Sequence, residues 1–442
     1  MKIYRMTMLC MATMFFLFIT GCSNAQKASQ TETDAIHKII NIEEVSRIEN
    51  VLASDAMKGR KTFSPEIDKA ADFIANEFKK TGLQSWGNTE NYQQRFAMVK
   101  VEQTALQAVF DQQDFDAAKI LVFSTKPSLS ITDKSNYKIE TIKKNDDFFQ
   151  KAITFSNADE NILVFVNPEL VNNFTRLKRF KQSMFQKNTS TVFILSDKIP
   201  ASFSINCTNK VNIQPLSNVI GILPGKGDLK NEYVVFSAHY DHLGVRKMAT
   251  GDSIYNGAND DAAGTTAVIL LAKYFKALNN NQRTLIFVAF TAEEIGGFGS
   301  RYFSTHINAD KVKAMFNIEM IGTESKWGAN AAYITGYDKT DMGHILQKNL
   351  EGKSFHFYPD PYPAQHLFYR SDNATLARLG VPAHTISTAK MDAEPNYHKV
   401  SDEVSSLDLE NMTAIIKAIA ISAKSIISGL DTPTRVNVDD LN

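Results

Sequence analysis

The apolar positions of this chain follow two periods, and the places where one gives way to the other mark its elements. Ile67, Ala70, Ala71, Ile74 and Phe78 recur at three- and four-residue spacing, with Gly82 just beyond them. That spacing predicts a helix with one buried face that stops at the glycine. Residues 35–95 read as helical throughout. From Asn218 onward, short apolar runs alternate with helical stretches: a run at 233–238, a helix from about 263 to 278, a run at 284–290, a helix from about 298 and a run at 314–318. A last amphipathic helix covers about 407–427. This alternation predicts an α/β fold, a mixed central sheet covered by helices on both faces. Residues 100–212 break the pattern: they are rich in Lys, Asn and Asp, with β-like runs at 120–124, 161–166 and 191–195. They read as an inserted smaller lobe.

The N-terminus has a different grammar. Lys2 and Arg5 precede an apolar run at 11–19, closed by Ile19-Thr20-Gly21-Cys22. The run is shorter than the ~20 apolar residues a membrane span needs, and it has the layout of an export signal. Its end resembles a bacterial lipobox, so residues 1–21 are expected to be a lipoprotein signal peptide, with Cys22 as the lipid-bearing residue. Residues 22–34 are polar and read as a tether. The expectation is an exported protein, lipid-anchored to a bacterial cell membrane on its periplasmic or surface face. No other stretch reads as long enough to cross a bilayer.

The chain carries 48 Lys and Arg against 48 Asp and Glu, a formal net charge of zero. It therefore lacks the basic footprint of a nucleic-acid partner. Its 43% hydrophobic content is too high for a disordered chain, and three cysteines cannot make a disulfide scaffold. Cys207 follows a strand-like stretch and reads as a buried small residue rather than a nucleophile.

The candidate chemistry lies just after the apolar runs. His239-Tyr240-Asp241-His242 follows the first, Asn259-Asp260-Asp261 precedes the 263–278 helix, Glu293-Glu294 follows the 284–290 run, and Glu319 follows the 314–318 run. Tyr397-His398 comes far downstream. In an open α/β sheet, ligands bind at the carboxyl ends of the strands. Imidazole and carboxylate are zinc ligands. Two metals sharing one bridging carboxylate need two His and three acids, and His239, His398, Asp260, Glu294 and Glu319 supply them. Such metals sit about 3.5–4 Å apart and act on one water and one carbonyl. A further carboxylate must then carry the proton to the leaving group, and Glu293 is the candidate.

These residues carry a resemblance. Ala238-His239-Tyr240-Asp241, Gly257 to Gly264, Ala292-Glu293-Glu294, Asn317-Ile318-Glu319-Met320 and Tyr397-His398 are similar in order and spacing to the di-zinc aminopeptidases of peptidase family M28. The likeness covers about 218–430, and Met57-Lys58-Gly59-Arg60 with the helix after it resembles the family's entry segment. It implies a zinc-exopeptidase-like fold, with 35–99 as the N-terminal part of the peptidase domain and 213–430 as the catalytic part. The 100–212 lobe would correspond to the protease-associated insert of some members. By resemblance, His239 and Glu319 hold one of two zinc ions, Glu294 and His398 hold the other, and Asp260 bridges. Glu293 is the general acid/base, and Asp241 orients the His239 ring. Glu319 stands where many members have Asp. In Ser371-Asp372-Asn373 the Asn stands where His is usual. The implied activity is release of N-terminal residues from peptide substrates through a bridging hydroxide. Glutaminyl cyclases resemble the same pattern, with one zinc and usually Trp before the last His, where this chain has Tyr397. A binding protein that had lost its metals is the non-catalytic alternative. His242 reads as lining the site or bonding locally, and His384 as a satisfied core residue.

Overall fold

The computed structural model describes residue 32 and residues 34–88, 91–178, 183–246 and 251–441. The export signal, Cys22 and most of the tether lie outside them. The chain divides into two compact units, 1–94 with 217–442, and 95–216.

The larger unit opens with two helices, α1 (Ile42–Leu52) and α2 (Pro65–Thr81). The Asn41 side chain accepts the Glu44 N–H and caps α1. Proline begins α2 and left-handed Gly82 ends it. Then follow the last residues, 217–223, of β1 (Phe203–Leu223), β2 (Tyr233–His239), α3 (Ala263–Leu278), β3 (Thr284–Phe290), α4 (Phe298–Ser304), β4 (Val312–Ile318), β5 (Ala331–Ile334), β6 (His356–Pro359) and β7 (Ala383–Ser387). The sequence reading of 35–95 as all helix fails at its end: Gln84–Ser85 is a strand paired with β1.

The strand order is β6-β5-β7-β4-β2-β3-β1. β3, β2, β4 and β7 run parallel, while β5 pairs antiparallel with β7 and the end of β1 antiparallel with β3. The sheet is therefore mixed, and the carboxyl ends of its four central strands share one edge. β3 is buried at every position, as a strand covered on both faces must be. Val234, Phe236 and Ala238 of β2 face a core built with α1, α2 and α3, while Val235 faces a second core with Ile286, Val288 and Met315. Phe236 stacks on Phe287 and Phe316.

The expected last helix is two, α5 (Leu409–Ser422) and α6 (Lys424–Ser428). By length and hydropathy, 409–428 passes as a membrane span, which the sequence reading overlooked. Two-thirds of the apolar window is buried in the protein, as in a core helix.

The unit 95–216 has its own sheet of Ile120–Phe123, Thr191–Leu195, Ile162–Val166 and Lys138–Ile142, in that order. Helices Phe148–Asn157 and Val171–Leu177 contribute Phe148, Phe174 and Leu177 to its core. Cys207 is buried there.

Candidate metal centre

The candidate metal ligands and Glu293 sit at or near the shared strand edge. His239 ends β2, Glu319 follows β4, and Glu293 and Glu294 lie in the turn after β3. Asp260 lies in the loop before α3, where the Asp260–Asp261 peptide is cis. His239 Nε2 is 3.2 Å from Asp260 Oδ1, and His398 Nε2 is 3.2 Å from both Asp260 Oδ2 and Glu294 Oε2. Asp260 thus offers one oxygen to each of two imidazoles. Glu319, Glu293, Asp260 and His398 line one cavity. Ala292, Met320 and His398 all have positive φ, at 59°, 52° and 56°. Left-handed backbone at non-glycine residues is costly and clusters at functional sites.

His242 joins the cluster. Its Nδ1 is 2.7 Å from Glu294 Oε1, and one ligand atom each from His242, Asp260 and Glu294 lie within 4.8 Å of one another. The sequence reading placed it beside the site, but not as a partner of Glu294. Only its position one residue after Asp241 hinted at that role.

The role of Asp241 differs from the expected one. The His239 ring is held by the main-chain carbonyl of Asp241, 3.1 Å from Nδ1. The Asp241 carboxylate is 3.8 Å from that nitrogen and instead accepts the Glu293 N–H (3.0 Å), the Glu294 N–H (3.4 Å) and the Thr62 hydroxyl (2.9 Å). Nδ1–H donates to the carbonyl, and Nε2 is the ring nitrogen that faces Asp260. Asp402 works similarly on the next loop, accepting the Asn259 and Asp260 N–H groups at 2.8 and 3.0 Å. Asp261 accepts from the N–H groups of Gly264 and Met320, and so joins the start of α3 to the residue after Glu319.

Arg60 holds the assembly from behind. It is fully buried, and its guanidinium donates to the carbonyls of Leu52, Tyr240, Asn256 and Gly257 at 2.6–2.8 Å. It therefore ties together the His239 loop and the chain leading to Asp260. Gly59 makes the close approach possible: a Cβ there would lie 2.1 Å from the Tyr255 carbonyl. Gly257, left-handed at φ 61°, leaves room for the His242 ring, 2.5 Å from where its Cβ would be. Asn373, in place of the usual His, bonds inward to the carbonyls of Phe368 and Ala383 and accepts from Thr385, so it locks the core.

The electrostatics follow from this crowding. Burial pushes the Glu293 carboxyl well above its ordinary range, and the charges of Glu319, Asp372 and Asp241 add to that push against the pull of His239. Burial likewise raises Glu319, and it holds Asp372 up to about 7. Asp260 is driven down despite its burial by contact with His239 and His398. His398, against Asp260 and Glu294, rises to about 10. Buried His239 Nε2, His242 Nε2 and Glu319 Oε2 have no hydrogen-bond partner. Buried polar atoms left unpaired are expensive, and a divalent cation among them removes that cost. The donor set of imidazole nitrogen and carboxylate oxygen suits zinc.

Fold and site together define a class: an α/β protein with a His–carboxylate cluster suited to a metal at the carboxyl edge of its sheet. Residues 218–422 match the model of peptidase family M28, and that segment belongs to the family. Aminopeptidase YwaD of Bacillus subtilis is 31% identical over 113 residues, 25% of this chain and 23% of the relative. Leucine aminopeptidase 1 of Ajellomyces capsulatus is 28% identical over 210 residues, 44% of this chain and 52% of the relative. The matches thus span about half or less of these curated relatives. In fold, the chain is similar to an aminopeptidase from Aneurinibacillus sp. strain AM-1, with TM-score 0.51 and 17% identity over 92% of this chain and 98% of that one. It is also similar to a zinc aminopeptidase from Bacillus subtilis, with TM-score 0.51 and 18% identity over 89% and 97%.

Proposed function

We propose that the protein is a zinc-dependent exopeptidase, an aminopeptidase that releases N-terminal residues from peptides outside the cytoplasm. The observation that carries this reading is the meeting of His239, His398, Asp260 and Glu294 beside the buried carboxyl of Glu293. His239 and Glu319 would hold one zinc, Glu294 and His398 the other, with Asp260 between them. His242 donates to Glu294 Oε1 and so leaves Oε2 to face the His398 side. Bound zinc supplies Lewis acidity, which polarises a carbonyl and acidifies a water.

The chain's own residues do the rest. Glu293, on a turn pinned by Asp241, takes the proton from the attacking water and delivers it to the leaving amine. Its raised affinity for a proton suits a group that must both accept and donate near neutrality. The apolar walls of Met320, Leu367 and Met391 accommodate a side chain and exclude water. The pattern of residues 1–22 supports export and lipid anchoring through Cys22.

A panel of aminoacyl-anilides and N-terminal glutamine peptides tests the reading. Chelator-sensitive release of the aniline is expected. Cyclisation of glutamine without anilide hydrolysis would replace the peptidase with a cyclase.

A further inference from the structure

The cavity that holds Glu293 and Glu319 is lined by one further charge of opposite sign. Arg370 is the single Arg or Lys among its described lining residues. It makes no ion pair with any described residue, and its hydrogen bond goes to the neutral Gln365 side chain, at 3.2 Å. Three other cations of this unit are committed: Arg47 to Glu44 and Glu77, Lys273 to Glu44 and Glu77, Arg283 to Glu232.

The charge ledger of the cavity gives this cation a meaning. Two divalent ions balance the four carboxylates Asp260, Glu293, Glu294 and Glu319. Arg370 then remains a cation with no ion-pair partner among the described residues, beside the apolar surfaces of Met320, Leu367 and Met391. A guanidinium is a planar fork that fits a carboxylate with two parallel hydrogen bonds. Arg370 itself is exposed, so its guanidinium reaches the cavity from the solvent side.

We propose that Arg370 is a specificity-determining residue that recognises a carboxylate of the substrate. The inference rests on the exopeptidase reading. The carboxylate has two possible sources, the side chain of an acidic N-terminal residue or the free C-terminus of a very short peptide. Both put the same group in the same cavity.

Two matched pairs separate the sources: aspartyl- against asparaginyl-anilide, and Leu-Gly against Leu-Gly-amide. Each is measured with the zinc-loaded full chain and with Arg370→Met and Arg370→Lys. For at least one pair, the acid is expected to exceed its amide in kcat/KM by about tenfold or more. Arg370→Met should bring that ratio to about one or below, and Arg370→Lys should restore part of it. Calorimetric binding of aspartic acid α-amide and asparaginamide, or of the two Leu-Gly forms, gives the same comparison without turnover. Ratios at or below one in the wild type, or ratios that Arg370→Met leaves unchanged, would overturn the assignment while leaving the peptidase intact. No cleavage of any substrate would overturn the peptidase reading instead, and the binding ratios would then decide Arg370 alone.

Discussion

Glu293 and Glu294 are neighbours in sequence, yet their surroundings separate them. Glu294 touches His242 and His398, which pull its carboxyl down against burial. Glu293 is buried among other acids and is pushed up. One therefore suits a cation and the other a proton. Glu293→Gln should lower kcat by about 10²–10⁴ with zinc content unchanged, as checked by steady-state kinetics and metal analysis. Undiminished turnover would remove Glu293 from the chemistry. A second residue-scale prediction concerns His384, which is buried, with Nδ1 2.8 Å from the Thr335 carbonyl and Nε2 2.7 Å from the Thr340 hydroxyl. Burial lowers its pKa to about 4. The unfolded chain therefore binds this proton first as pH falls, and stability declines between about 6.5 and 4 by about 3 kcal/mol. His384→Gln should flatten that slope in urea unfolding followed across the same range. His239, Glu294 and Glu319 were legible in the sequence because each follows an apolar run that reads as a strand, and Asp260 because it stands just before a helix. The contact of His242 with Glu294 and three of the four acceptors of Arg60 were not, because they join segments some 50 to 200 residues apart.

At the scale of elements, the turn after α1 matters most. Residues 55–60 carry three consecutive left-handed positions, Lys58, Gly59 and Arg60. They deliver one guanidinium to the loops that carry His239 and Asp260. Arg60→Met would strand four buried carbonyls, at a cost of about 3 kcal/mol or more. The expected result is a lower urea midpoint together with weaker zinc affinity in a competition titration. Unchanged zinc affinity in a destabilised variant would reduce Arg60 to general packing. The elements that position the site were readable because burial makes their sequences nearly uniform in polarity. The α3 helix and β3 strand fall at the residues their patterns predict. Lys138–Ile142 escaped notice because it is polar and mostly exposed, so it has no alternation to read. The break near Ala423 in the last helix has no proline or glycine to announce it.

The whole molecule gathers Asp260, Glu293, Glu319 and His398 around one cavity, with Glu294 in contact with two of its histidines. Without a cation, these acids repel each other and leave buried atoms unpaired. Metal that binds only the folded state stabilises it by mass action, by about 2.7 kcal/mol at a hundredfold excess over Kd. Chelation should lower the thermal midpoint, and added zinc should restore it, as read by differential scanning calorimetry. A midpoint indifferent to chelator would mean that the cluster is satisfied without metal. Asp260 is the shared carboxylate of the two halves, so Asp260→Ala should lose both ions rather than one. The measurement that reaches the centre of the account is zinc per chain on the purified protein. Two equivalents in the wild type and none in Asp260→Ala are predicted. A wild type that binds no zinc after reconstitution, or an Asp260→Ala variant that keeps both ions, would contradict it.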